Sequence, residues 1–330
     1  MAMIFSSAYF ILSQIKGKGI DTQTKYELVA DWPKLPVGFV LGNPTGIGID
    51  TSQNIFVFHR ADRKWPLDNI MPDSPISSNT ILILDRKTGK IINEWGAGIF
   101  IMPHGLTIDK WENVWVTDVG LHQVMKFTHD GKLLMKLGEA KIPGNDHTHF
   151  NLPTDVAVAP DGSFYVSDGY GNSRVVKFSS EGKYLFEWGA YGTRPGEFNI
   201  PHAISLDEKQ NVYVADRENK RVQVFDSNGN FLKIYRRNTF GSICSVVFDQ
   251  RQKQLIAVDD DFFLKIRHRG SDVIIFDKVD SLQIRFGRSG MYKGDNTWYH
   301  DIDIDDEGSL YIGDILGNKI HKFKKHTAHP

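Results

Sequence analysis

Three histidines in this chain are evenly spaced: His104, His202 and His300 are separated by 98 residues twice over. Each opens a similar phrase, Pro103-His104-Gly105-Leu106-Thr107-Ile108-Asp109, Pro201-His202-Ala203-Ile204-Ser205-Leu206-Asp207 and Tyr299-His300-Asp301-Ile302-Asp303-Ile304-Asp305. Between the first two, Pro153-Thr154-Asp155-Val156-Ala157-Val158 repeats the phrase with threonine in place of histidine. The true repeat is therefore about half that spacing, and every second repeat carries the imidazole. In a closed ring of six such units, alternate units stand a third of a turn apart. Three imidazoles would then converge on one axis, which is what a three-histidine zinc site with an open fourth position requires. A lone histidine in a strand is usually a satisfied polar residue, but packing does not explain three at one repeat position. His122, His129, His147, His149, His268, His321, His326 and His329 fall in expected turns, outer strands or the tail, and take the plain structural explanation.

Three further segments depart from the repeat. In Phe58-His59-Arg60-Ala61-Asp62-Arg63-Lys64-Trp65, His59 or Arg60 stands where other repeats have an acid. A guanidinium at the channel mouth suits bidentate capture of a carboxylate, whereas Arg63 and Lys64 read as surface charge. Tyr170, in Ser167-Asp168-Gly169-Tyr170-Gly171-Asn172-Ser173-Arg174, is flanked by glycines and has little packing reason to be there. Near a zinc ion and two arginines its phenol would lose its proton more easily, which suits a general base. A loop aromatic packed on a neighbour is the plain alternative. Arg217, in Ala215-Asp216-Arg217-Glu218-Asn219, occupies the matching loop of the fourth repeat and should reach the same face.

The elements that position these residues follow from the repeat. Units begin near Thr45, His104, Thr154, His202, Cys244 and His300. Each start is followed by a turn rich in Asp, Gly, Asn or Gln and then, in most units, by a β-rich run such as Val114-Trp115-Val116-Thr117 or Val212-Tyr213-Val214-Ala215. An acid (Asp118, Asp168, Asp216, Asp314) closes that run in four units. A third run opens at Gln123, Arg174, Arg221 or Lys319, and turns such as Asp130-Gly131 and Glu181-Gly182 lead to a fourth. Four short strands per unit predict an all-β, six-bladed β-propeller. Tyr26-Glu27-Leu28-Val29 should supply the outer strand of the last blade, which otherwise ends near Phe323, and so close the ring. Blade five is the least regular, with Asp259-Asp260-Asp261 breaking the pattern. Residues common to most blades, such as Asp216 and Arg221, are expected to order turns and bridge blades.

Bulk properties narrow the function classes. A formal net charge of −1 over 330 residues removes any global attraction to nucleic acid or an anionic membrane. Cys244 is the only cysteine, so no internal disulfide forms, and the redox compartment stays open. Ile4 to Ile15 is apolar, too short to span a bilayer, and lacks a preceding basic segment. It reads as a signal or anchor remnant or as a packed amphipathic helix. The expected organisation is an N-terminal segment over 1–24 and one propeller domain over 25–330, monomeric, with no stable membrane span and no nucleic-acid partner. Location is left open, a secreted or periplasmic one slightly favoured over the cytoplasm.

From about Leu41 to Phe323 the chain resembles the peptidyl-α-hydroxyglycine α-amidating lyases, within the wider group of NHL-repeat propellers. The blocks that carry the resemblance include Phe58-His59-Arg60, Pro103-His104-Gly105-Leu106, Val166-Ser167-Asp168-Gly169-Tyr170, Pro201-His202, Ala215-Asp216-Arg217-Glu218-Asn219 and His300-Asp301-Ile302. The resemblance implies a catalytic zinc on His104, His202 and His300. It implies a structural calcium on Asp301 and the backbone carbonyls of Ile47 and Leu106. It also implies Tyr170 as base, with Arg60 and Arg217 holding the substrate and the charged centre. The implied reaction splits a small-molecule or peptide α-hydroxyglycine into an amide and glyoxylate. Simple strand alternation would turn Asp301 away from the side that His300 faces. The chain departs from the family at Trp298-Tyr299, where Met-Pro is usual before the third histidine, and at Gly171, where animal members carry a cysteine. No copper monooxygenase domain is expected before the propeller on this reading, and the source of the substrate stays open. Two other readings compete: an NHL propeller that binds a protein partner and keeps its metals for stability, and a calcium-dependent lactonase-type propeller. Lactonase-type sites are built from acids and amides rather than from three histidines.

Overall fold

The computed structural model describes residues 26–68, 70–263, 267–276, 282–287 and 296–326. The expected N-terminal segment, 1–24, and His329 lie outside the described residues. A single strand, β1 (Tyr26–Leu28), precedes the first blade. Blade one is β2 (Pro44–Ile49), β3 (Ile55–His59), β4 (Ile81–Leu84) and β5 (Ile91–Trp95). Blade two is β6 (Pro103–Ile108), β7 (Val114–Asp118), β8 (Gln123–Phe127) and β9 (Leu133–Leu137). Blade three is β10 (Pro153–Val158), β11 (Phe164–Asp168), β12 (Arg174–Phe178) and β13 (Tyr184–Trp188). Blade four is β14 (Pro201–Leu206), β15 (Val212–Asp216), β16 (Arg221–Phe225) and β17 (Phe231–Arg236). Blade five is β18 (Ser242–Asp249), β19 (Gln254–Phe263), β20 (Arg267–Phe276) and β21 (Leu282–Gly287). Blade six is β22 (Tyr299–Ile304), β23 (Leu310–Asp314) and β24 (Lys319–Lys325), with β1 as its fourth strand.

The six sheets are antiparallel meanders, so the propeller expectation holds, and the third runs begin at the expected residues. Ring closure also holds: Tyr26 pairs with Lys325 and Leu28 with Phe323, which carries the last blade two residues past its expected end. Among the described residues no helix is long and apolar enough to cross a membrane.

The blades pack face to face through their middle strands. Phe56, Phe58, Ile81 and Ile83 of blade one meet Leu106, Val114, Val116 and Met125 of blade two. Ile47 and Val57 meet Tyr311 and Ile320 across the closing seam. Burying each such side chain stabilises the ring by about 2 kcal/mol. Fourth strands are more exposed than the inner ones, and in Tyr184–Trp188 exposed and half-buried residues alternate, because only one side of an outer strand has a neighbour.

Outside blade one, a shared acid positions the inner strand of the blade. Asp118 accepts the Ile101 and Met102 amides, Asp168 that of Asn151, Asp216 that of Asn199 and Asp314 that of Trp298. Each carboxylate thus ties down the linker entering the first strand. Asp216 is also paired with Arg221 at 2.6 Å, and Arg221 holds the carbonyls of Thr193, Arg194 and Glu197, the turn-ordering role expected for both. Blade five keeps the device. Ile243 pairs with Asp259, which accepts the Gly241 amide, and the irregularity is that β19 and β20 run on past it as a longer hairpin.

Candidate active site

A β-bulge at the start of every first strand builds the site. Pairing skips one residue between Pro44 and Gly46, Pro153 and Asp155, Pro201 and Ala203, Ile243 and Ser245, and Tyr299 and Asp301, and two between Pro103 and Leu106. The bulged residues are Thr45, Thr154, His202, Cys244, His300 and His104, the unit starts seen in the sequence. A bulge inserts an unpaired residue and re-aims its side chain. It also corrects the alternation expectation for Asp301: with His300 in the bulge, both side chains line the same narrow pocket at the axis, together with His104, His202 and Asp155.

The three imidazoles converge. Their ring centroids lie 4.7–4.8 Å apart and their planes are inclined by 69–70°. All three are buried. Each Nδ1 donates to a backbone carbonyl of the next blade: His104 to Thr154 at 2.7 Å, His202 to Cys244 at 2.6 Å and His300 to Thr45 at 2.8 Å. A carbonyl can only accept, so the proton sits on Nδ1 and each Nε2 presents a lone pair. Burial pushes all three below the ordinary histidine range, His300 to about 3, and the guanidinium of Arg60 adds to the effect on His104 and His300. The rings are therefore neutral at neutral pH, the form a metal needs.

Tyr170 and the two arginines come to the same place. The Tyr170 hydroxyl lies 3.2 Å from His104 Nε2 and 3.0 Å from His202 Nε2. Burial raises its pKa, with Arg217 and Arg60 acting in the opposite direction. In the protein by itself burial wins; the more easily ionised phenol was expected only beside a bound zinc ion. Arg60 is buried, donates from Nε to the Pro103 carbonyl at 3.0 Å and is lowered by burial to about 10. Burial also works against the charge of Arg217, but Tyr170, Cys244, Glu218 and Asp260 facing it win and raise its pKa. Arg60 directly follows β3 and Arg217 directly follows β15, the same position in blades half a turn apart. His59, not Arg60, takes the place of the acid, since Pro44 pairs with His59 as Pro103 pairs with Asp118.

On the other side of the triad the axis opens into a cavity of about 230 Å³ whose lining includes Ile47, Leu106, Asp155, Ile204, Asp301 and Asp303. Asp301 accepts from the Ile47 amide at 2.7 Å and the Ser245 hydroxyl at 2.6 Å. Burial raises Asp301 to about 6 and Asp303 to about 7; it also raises Asp155, where the Asp301 carboxylate adds to the effect. Asp155 stands just after the bulge of its blade, as Asp301 does in its own. Sequence reasoning passed over it, although the parallel between Thr154-Asp155 and His300-Asp301 was there to find. Asp50, Glu112 and His129 also gather within 4.8 Å. Their plainer explanation holds: Trp115, Tyr213 and Tyr311 donate to the turn acids of their blades, and His129 does so for Asp50, where blade one has Phe56.

Comparison with known proteins agrees with this architecture. The NHL repeat model matches residues 150–178 and 198–225. The chain is 36% identical over 315 residues to peptidyl-glycine alpha-amidating monooxygenase B of Xenopus laevis, covering 90% of this chain and 35% of that protein. It is also 36% identical over 321 residues to peptidyl-alpha-hydroxyglycine alpha-amidating lyase 1 of Drosophila melanogaster, covering 88% of this chain and 58% of that one. The chain thus spans about a third of the first relative's length and under two thirds of the second's. A virginiamycin B lyase from Staphylococcus aureus superposes with a TM-score of 0.58 at 16% identity, over 90% of this chain and 85% of that one, a likeness of fold. Over about nine-tenths of its length the chain is similar in sequence to the peptidyl-α-hydroxyglycine α-amidating lyases and their two-enzyme relatives, and the NHL repeats fall within its propeller.

Proposed function

We propose that this chain is a zinc-dependent lyase that splits a peptidyl- or N-acyl-α-hydroxyglycine into an amide and glyoxylate. The observation that carries the reading is the triad: three buried imidazoles, each with Nδ1 committed to a carbonyl, turn their Nε2 atoms toward one another beside the Tyr170 hydroxyl. An all-nitrogen set with fixed tautomers fits zinc. Zinc held by His104, His202 and His300 would supply a Lewis acid and template that makes the substrate hydroxyl more acidic.

The chain's own residues do the rest. Arg60 uses Nε on Pro103, so its terminal nitrogens remain for a carboxylate; Arg217 stands across the channel for charge on the reacting centre. The oxygen of Tyr170, once ionised, takes the hydroxyl proton. The O–H electron pair becomes the carbonyl of glyoxylate, the C–N bond breaks, and its electrons leave on the amide nitrogen, which takes a proton. Burial opposes ionisation of Tyr170, while the two guanidiniums, and any dication on the triad, favour it. In the cavity beyond, Asp301 and the carbonyls of Ile47 and Leu106 would hold a structural calcium. Hard oxygen donors and the mutual repulsion of Asp155 and Asp301 suit that cation.

The test is glyoxylate release from α-hydroxyhippurate by the zinc-loaded protein, with benzamide formed in equal amount. Tyr170→Phe should lower kcat on the order of 100-fold or more while retaining the zinc. Bound zinc with no turnover in the unaltered chain would contradict the lyase reading.

A further inference from the structure

The connection between the second and third strands is short in most blades: residues 119–122, 169–173, 217–220 and 315–318. In blade one it runs from residue 60 to residue 80. This insertion is tied within itself and to the linkers that lead into blades two and three. Arg63 donates to the Ile101 and Ser74 carbonyls, the Ile76 amide to the Phe100 carbonyl, and Lys141 to the Asp73 carbonyl. The anchored loop carries Trp65 to the site. The Trp65 ring lies 5.3 Å from the Tyr170 ring, tilted by 50°, and the Arg60 guanidinium carbon sits 5.3 Å from the Trp65 centroid. Trp65 packs on the apolar group of Ile101, Met102 and Val119, as do Met71 and Leu152, yet it is only half-buried.

We infer that Trp65 is a specificity-determining residue: its exposed face receives the acyl or penultimate side chain of the substrate. The inference rests on the lyase reading, because it takes the reacting carbon to sit at Tyr170. The groups gathered on that carbon are imidazoles, guanidiniums and a phenol, which recognise the glycolate half and leave the acyl half unread. That half runs outward past Tyr170 and needs a surface. An indole one ring away from the base, already used as a platform by a cation, offers an apolar plane that favours aromatic and large apolar groups over small ones. Such a plane has no hydrogen-bonding code, so it grades substrates by size and apolarity and does not demand one sequence.

The test compares kcat/KM for N-benzoyl-α-hydroxyglycine and N-acetyl-α-hydroxyglycine in the zinc-loaded protein and in Trp65→Phe, Trp65→Leu and Trp65→Ala. The unaltered chain should prefer the benzoyl compound on the order of tenfold, mainly through KM. Trp65→Phe should keep most of that ratio, and Trp65→Ala should bring it close to one. Trp65→Leu, which keeps apolar volume without a ring, reads the same point if the alanine variant does not fold. A fall in kcat for both substrates alike, with the ratio preserved, would assign Trp65 to structural support and overturn the inference. If the unaltered chain turns over neither compound, the lyase reading fails by itself. Calorimetric titration with N-benzoylglycine and N-acetylglycine then decides the pocket alone: tighter benzoyl binding that disappears in Trp65→Ala supports it, and equal binding overturns it.

Discussion

At the scale of single residues, the chemistry is set by what each side chain cannot do. The three triad imidazoles cannot rotate their tautomers freely, because Nδ1 is engaged by a carbonyl of the following blade. The histidines themselves were legible as departures from a repeat. Their orientation was not, because the partners are backbone carbonyls that any residue offers; Thr45, Thr154 and Cys244 carry no signature of the role. Tyr170, Arg60 and Arg217 were likewise legible only as exceptions to a pattern, and the pattern says nothing of the balance between burial and positive charge at the phenol. His59 gives a prediction at this scale. Burial lowers it to about 4, so the folded chain stays neutral there while the unfolded chain takes up a proton below about 6.5. Stability from this group is intact above about pH 6.5 and is lost progressively down to about pH 4, by roughly 2 kcal/mol at pH 5. Urea unfolding at pH 7 and pH 5 should show a smaller acid loss in His59→Gln than in the unaltered chain; equal losses would remove His59 as a cause.

At the scale of elements, the bulge does what alternation cannot. Period-two reasoning turned Asp301 away from the axis, since it assumes an unbroken ladder, and the one residue inserted in β22 reverses that. The bulge was not readable because Pro, Thr, His and Cys at those positions do not announce it. Blade five misled for a related reason. Asp259 sits in the shared acid position, and only the continuation of the strands beyond it makes the run of acids look foreign. Gly105 tests the bulge. A β-carbon there would stand 2.5 Å from the Thr154 carbonyl oxygen and 2.8 Å from the Asp155 carboxylate, and the first of these is the acceptor that orients His104. Gly105→Ala should destabilise the chain by about 2 kcal/mol and weaken zinc binding on the order of tenfold. Thermal unfolding and zinc titration check this; unchanged affinity would show that the Thr154 carbonyl does not govern His104. Ala203 follows His202 in blade four, so a β-carbon just after the histidine is not forbidden in itself.

At the scale of the whole molecule, the ring brings residues distant in the chain onto one axis. Six repeats, four strands each and the closing strand from the N-terminal side were all readable, because blade signatures recur and the last blade lacked an outer strand. The path of residues 60–80 was not, since an insertion belongs to no repeat. Tyr26 tests closure: it is buried, stacks at 5.5 Å on Phe286 and pairs through its backbone with Lys325. Tyr26→Ala should cost about 3 kcal/mol and lower Tm by several degrees in a scanning calorimeter. An unchanged Tm would mean that the ring holds without this seam.

The claim on which the rest depends is that the ring's symmetry gathers three imidazoles on a single ion. X-ray absorption at the zinc edge of the zinc-loaded protein reads this directly. The account predicts one zinc per chain with three imidazole nitrogens at about 2.0 Å, falling to two in His202→Ala. Substoichiometric zinc, or a first shell of oxygen unaffected by that substitution, would contradict it.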